Sequence, residues 1–106
     1  MRRFAICVDG QLIGHTAFEN GDAPMGVAFG QLLPTSAYHR DMITEDSVII
    51  VKLGETTIPS VGGAYIEDYF EEMGEIEVTI LGIGSPLYEE LFPDHVAAYK
   101  AQWQSS

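Results

Sequence analysis

The sequence predicts an α+β fold: a twisted, mainly antiparallel sheet of about five or six strands, with a C-terminal helix packed on one face and short helices at its edges. Three observations predict it. Asp9-Gly10 joins two extended runs in "RRFAICVDGQLIGHTAF"; "SVIIV" and "EIEVTIL" carry β-branched or alternating patterns; "SPLYEELFPDHVAAYKAQW" closes the chain with helical spacing.

An Asp-Gly pair between extended runs favours a type I′ hairpin, because both central residues of that turn need positive φ. Strands are therefore expected over about 3–8 and 11–18. "ENGDAP" follows, with Asn20-Gly21 and Pro24 as turn residues. "MGVAFGQLL" reads as a third extended segment, in which Gly26 and Gly30 are natural sites for a bulge. In "PTSAYHRDMIT" the pattern changes: Tyr38 and Met42 fall at i and i+4, and Thr35 or Ser36 can cap exposed N–H groups, which predicts a short helix.

"SVIIVKLGETTIPSV" is the clearest strand, followed by Gly54-Glu55 as a two-residue type II′ turn. Pro59 cannot donate to a ladder, so the return strand belongs at an edge or a bulge. In "EIEVTILGI" Ile76, Val78 and Ile80 alternate with Glu77 and Thr79, giving one dry and one wet face, and the strand ends at Gly82 or Gly84. Ser85 is a candidate N-cap with Pro86 at the first helical position, and Phe92-Pro93 marks a break and restart. Val96, Tyr99 and Trp103 then form a stripe expected to pack on the dry side of the sheet.

Residues 66–78, "IEDYFEEMGEIEV", hold six carboxylates and no lysine or arginine. Ile66, Phe70 and Met73 have helical spacing with Gly74 as a stop, yet "GAYIEDYF" also continues the preceding strand. The preferred reading is a strand or bend to about Ile66 passing into one or two helical turns. A full helix would place Glu67/Glu71, Asp68/Glu72 and Glu71/Glu75 at i,i+4, at a total cost of roughly 1 kcal/mol.

The 106 residues suit a single domain spanning 1–106, and an apolar content of 46% supports a core in spite of the formal charge of −11. Ten of the acids lie between Lys52 and Lys100 with no lysine or arginine among them. Phosphate contacts need clustered bases, so nucleic acid is not an expected partner. No apolar run has the length of a membrane span, and the N-terminal apolar stretch stops at Asp9 without a small-residue cleavage site. A single cysteine, Cys7, among Phe, Ile and Val reads as a buried thiol in a reducing compartment, with the cytoplasm as the expected location.

No motif commits the chain to a reaction, and no catalytic residue or cofactor is assigned. "EDYFEEMGE" lacks the ligand spacing of an EF-hand loop, and Cys7, His15, His39 and His95 are too scattered for a zinc motif. "GIGSPL" is not a nucleophile elbow, and "GVAFG" and "SVGGAY" match no phosphate-binding fingerprint. His95, near a helix start, is the histidine whose neutral form the helix N-terminus favours.

What remains is charge and tyrosine. Glu67, Asp68, Glu71, Glu72, Glu75 and Glu77 form an expected attracting patch, with Tyr65 and Tyr69 as anchors, and Glu89, Glu90 and Asp94 extend it if the last helices pack alongside. The expected function is a non-catalytic acidic module that docks a basic protein. In general character, small size and strong acidity are similar to bacterial immunity, antitoxin or inhibitor proteins that neutralise basic toxins; the analogy is one of class and carries no motif. The alternative is a small-molecule site or minor enzyme, with Asp68 or Glu67 meeting a histidine between the sheet and the last helix. A homodimer is a further expectation, with the strand near Pro59 as one possible contact.

Overall fold

A computed structural model describes residues 3–104, with side chains as far as Gln102. The fold is α+β, and its strands pair antiparallel throughout the described residues. They are β1 (Phe4–Val8), β2 (Gln11–Thr16), β3 (Asn20–Asp22), β4 (Val27–Gln31), β5 (Leu33–Pro34), β6 (Ile49–Leu53), β7 (Thr56–Thr57), β8 (Gly63–Tyr69) and β9 (Glu75–Leu81). Helices α1 (Phe70–Met73), α2 (Leu87–Leu91) and α3 (Pro93–Gln104) interrupt and close the chain. Among the described residues no helix is long and apolar enough to cross a membrane.

The strands divide into two sheets, ordered β5-β2-β1-β6-β7 and β3-β4-β9-β8, where the sequence had suggested one of five or six strands. Alternation explains the division. Phe4, Ile6 and Val8 of β1 and Val51 of β6 share one core with Ala28 of β4 and Ile76, Val78 and Ile80 of β9. Two half-dry sheets thus bury each other's apolar side chains, as in a sandwich. The helical contribution comes chiefly from Tyr88 and Leu91 of α2 and from Phe92 just beyond it, all buried. Helix α3 packs along β3; its Val96 is half-buried and its Tyr99 36% exposed. Trp103 lies outside the described side chains.

Local chemistry decides the turns. Asp9 and Gly10 have φ of 51° and 85°, the positive pair that a type I′ hairpin requires. The Asp9 carboxylate also accepts from the Val48 N–H at 2.9 Å, tying the hairpin to the start of β6. Gly54 takes φ 64° in the two-residue link from β6 to β7, which is an edge strand followed by Pro59.

Three local expectations are corrected. Asn20-Gly21 is not a turn but part of β3; the turn is the 3₁₀ segment Ala23–Met25, closed by Gly26 at φ 66°. Gly21 is there for space, since a Cβ on it would lie 2.5 Å from the Tyr88 Oη and 2.7 Å from the His95 Cδ2. Residues 35–44 form turns and one 3₁₀ segment, Arg40–Met42, instead of an α-helix. The Thr35 hydroxyl there donates to the Leu12 carbonyl and accepts from the Ala37 N–H, a local alternative to helical bonding. Ser85 does not cap α2, which starts at Leu87; its hydroxyl donates to the Glu89 carboxylate at 2.7 Å.

Candidate functional site

The crowded acids lie on β8, α1 and β9, and their strand parity sorts them. Pairing sets Tyr65 opposite Thr79, Glu67 opposite Glu77 and Tyr69 opposite Glu75. On the other side of β9, Phe29 of β4 stands opposite Thr79 and Gln31 opposite Glu77. Directly paired residues share a face, and their neighbours Ile66, Val78 and Ala28 point to the core, so these eight residues share the outer face of the four-stranded sheet. Phe29 and Tyr65 flank the buried Thr79 in one row, which runs beside an acidic row ending in Glu77 and Glu67.

Directly opposed like charges are destabilising, typically by a few tenths to about 1 kcal/mol. Glu67 and Glu77 carry that penalty with no Lys or Arg in an ion pair with either among the described residues. What holds Glu67 in place is a hydrogen bond donated by the Tyr69 hydroxyl. That bond, aided by partial burial and by the charges of Glu67 and Glu77, raises the Tyr69 pKa, so the phenol stays protonated and keeps its donor role.

Asp68 departs from the expected patch. As an even-numbered residue of β8 it points to the opposite side, with its side chain 15% exposed. The Tyr38 hydroxyl donates to its Oδ2 at 2.6 Å, the Phe70 N–H donates to Oδ1 at 2.9 Å, and the Arg40 Nε lies 4.0 Å away. The Tyr38 bond first, then the Phe70 N–H and the Arg40 charge, hold its carboxyl below the usual carboxylate range, while burial opposes them. Burial and the Asp68 bond raise Tyr38 in turn.

Glu71 pairs with Arg40 at 3.1 Å on an exposed surface, a contact worth little energy but one that cancels charge. Glu72 is exposed on α1. The eight residues expected from the sequence to form the patch thus split: Tyr65, Glu67, Tyr69, Glu75 and Glu77 gather on one face, Glu71 and Glu72 sit on the adjoining helix α1, and Asp68 belongs to a structural network. Glu89, Glu90 and Asp94 do not extend the patch. Their helices lie toward β3, three strand spacings or about 14 Å from β8.

Because the folded Asp68 pKa lies below its unfolded value, its contribution to stability is full above that unfolded value and is lost as pH falls through the folded one. Tyr38→Phe removes the leading cause of the depression. The variant should lose about 1 kcal/mol at neutral pH, and the deficit should narrow below about pH 4. Urea melts at several pH values would check this; a pH-independent deficit would mean that Tyr38 acts by packing alone.

Sequence reasoning missed Phe29, Gln31 and Thr79 as parts of the face, and Tyr38 and Arg40 as partners of Asp68. Alternation in "MGVAFGQLL" held a signal for the first two, but only the β4–β9 register converts it into a shared surface. A groove of about 540 Å³ lies between α3 and the β3 side of the same sheet, where Glu19, Asp22, Phe29, His95 and Tyr99 line it. His95 donates from Nε2 to the Phe18 carbonyl at 2.7 Å and stacks on Phe92, which gives it a packing role. Neither Glu67 nor Asp68 reaches this groove. Among the described residues no group of three or more His, Cys, Asp or Glu side chains is placed to hold a metal ion. No protein-family model, curated protein or solved structure matches the chain.

Proposed function

We propose that the protein is a non-catalytic binding module that docks a basic protein, in the manner of an immunity protein or inhibitor, through the outer face of β4, β9 and β8. The observation that carries this reading is the opposed pair Glu67 and Glu77, without a compensating base among the described residues and flanked by Tyr65, Tyr69 and Phe29. A fold that tolerates such a pair gains by meeting lysine or arginine from outside. Carboxylates of one sign steer a cationic partner and reject anionic competitors, while tyrosines supply area for desolvated contact. A nucleic acid would meet repulsion on the same surface.

The direct experiment presents the immobilised protein to an extract of its source cell at low salt, identifies the captured species, and follows its association rate against ionic strength. A partner with a basic surface and a rate that falls steeply with salt is the expected outcome. Capture only of acidic or neutral species, or a rate indifferent to salt, would refute the proposal. The groove beside α3 supports a second reading, a small-molecule site, since its volume is in the range of ligand pockets and it brings Glu19 and Asp22 near His95. Binding there would involve few charges and respond weakly to salt, which separates the two.

A further inference from the structure

The other large surface of the molecule has the opposite chemistry. Parity and register place Leu12, Cys7 and Ile50 in one row across the outer side of the five-stranded sheet. A second row holds Leu33, His15, Ala5 and Lys52. Leu12 is 40% exposed, Leu33 47% and the adjoining Val48 58%. Neither row contains a carboxylate, although the chain has sixteen, and Asp9, bonded to the Val48 N–H, lies at the end of the face. Helix α3 lies against β3 and the 3₁₀ turn after it, so it leaves this face uncovered.

From this we infer that the outer face of the five-stranded sheet is a homodimer interface, packing against the same face of a second copy across a two-fold axis near Cys7. Charge selects the partner. A chain of net charge −11 meets least repulsion from its own copy where its carboxylates are fewest. Stacking these faces puts the two acidic surfaces at opposite ends of a four-sheet stack. They are then about 30 Å apart, at roughly 10 Å per sheet, well beyond a Debye length of about 8 Å. Area sets the strength. Three strands about 17 Å long and two edge strands about 7 Å long, about 4.8 Å apart, give a footprint near 300 Å², less than half the share of about 800 Å² that one partner has in a standard interface, so the dimer is weak and reversible.

An isologous contact brings equivalent residues together at its axis. Cys7 lies on β1, the central strand, and meets its own copy there, whereas the two Lys52 ammonium groups fall on opposite sides. The inference is independent of the partner proposed for the acidic face, which it leaves open at both ends of the dimer.

Sedimentation velocity on the intact chain, from about 1 μM to about 1 mM, reads the association directly. A monomer–dimer equilibrium is expected, strengthened by salt as repulsion is screened. Leu12→Glu with Ile50→Glu should raise the dissociation constant by roughly a hundredfold or abolish the dimer, since like charges then face each other across a desolvated contact. Leu33→Glu, on a more exposed residue, serves the same purpose if that double variant fails to fold by circular dichroism. A short bis-maleimide should give a covalent Cys7 dimer in the wild type and far less in these variants. A wild-type chain that stays monomeric to about 1 mM, a dimer indifferent to the substitutions, or a dimer that the reagent fails to trap would each overturn the assignment.

Discussion

Reversing Glu67 and Glu77 together to lysine is expected to slow association with a basic partner by about tenfold or more at low ionic strength, and to flatten the dependence of that rate on salt. The pair lies at the centre of the proposed face, with Gln31 on one side of its row and Tyr65 and Tyr69 on neighbouring rows. Glu71 and Glu72 should matter less, because Arg40 already answers Glu71. A milder change gives an effect of opposite sign on the fold: Glu77→Gln removes one of two opposed charges and leaves the Tyr69–Glu67 bond intact. It should stabilise the domain by a few tenths to about 1 kcal/mol while weakening the partner. Stopped-flow association and urea unfolding on the same preparations separate the two effects. An association rate unchanged by the double reversal would remove the acidic face from the binding reaction.

Truncating Phe92 to alanine should cost about 3–5 kcal/mol, much of the total for a domain of this size. Phe92 is 5% exposed and sits at the junction of four rings. It stacks on Phe4 at 5.4 Å and on His95 at 5.0 Å, meets Phe18 edge-on at 6.0 Å, and lies 5.1 Å from Tyr88. The change therefore empties space shared by β1, by the segment after β2 and by both C-terminal helices. Tyr88 adds a polar anchor: its hydroxyl donates to the Val27 carbonyl at 2.8 Å, and burial, with the Asp22 charge, pushes its pKa to about 12. Phe92→Leu should recover most of the loss because it retains volume. Urea denaturation measures both. A deficit under about 1 kcal/mol for the alanine variant would show that the C-terminal helices contribute little to the cooperative core.

Features set by a few adjacent residues were legible in the sequence. Asp9-Gly10 predicts its own turn because the required dihedrals are local, and they are the ones found. Ile76, Val78 and Ile80 announce a dry side for the same reason, and all three are buried. Alternation tells which side of a strand is dry; it does not tell what covers it. A second sheet covers it here, joined by Tyr88, Leu91 and Phe92. Gly21 illustrates a long-range cause: the space it leaves is for Tyr88 and His95, far away in the chain. Within the candidate site, the acidic window was plain, but its sorting depended on β8 running to Tyr69 and not bending near Ile66. Three further residues of strand turn Asp68 inward to Tyr38 and keep Glu67 outward.

The borders of the five-stranded sheet bear on how this protein tolerates crowding. β5 and β7 each contribute two residues, with Pro34 inside one and Pro59 just past the other. A short border next to an imino acid presents too little free main chain to template another molecule's strand. Growth into filaments by sideways addition of strands is therefore blocked at both margins of this sheet.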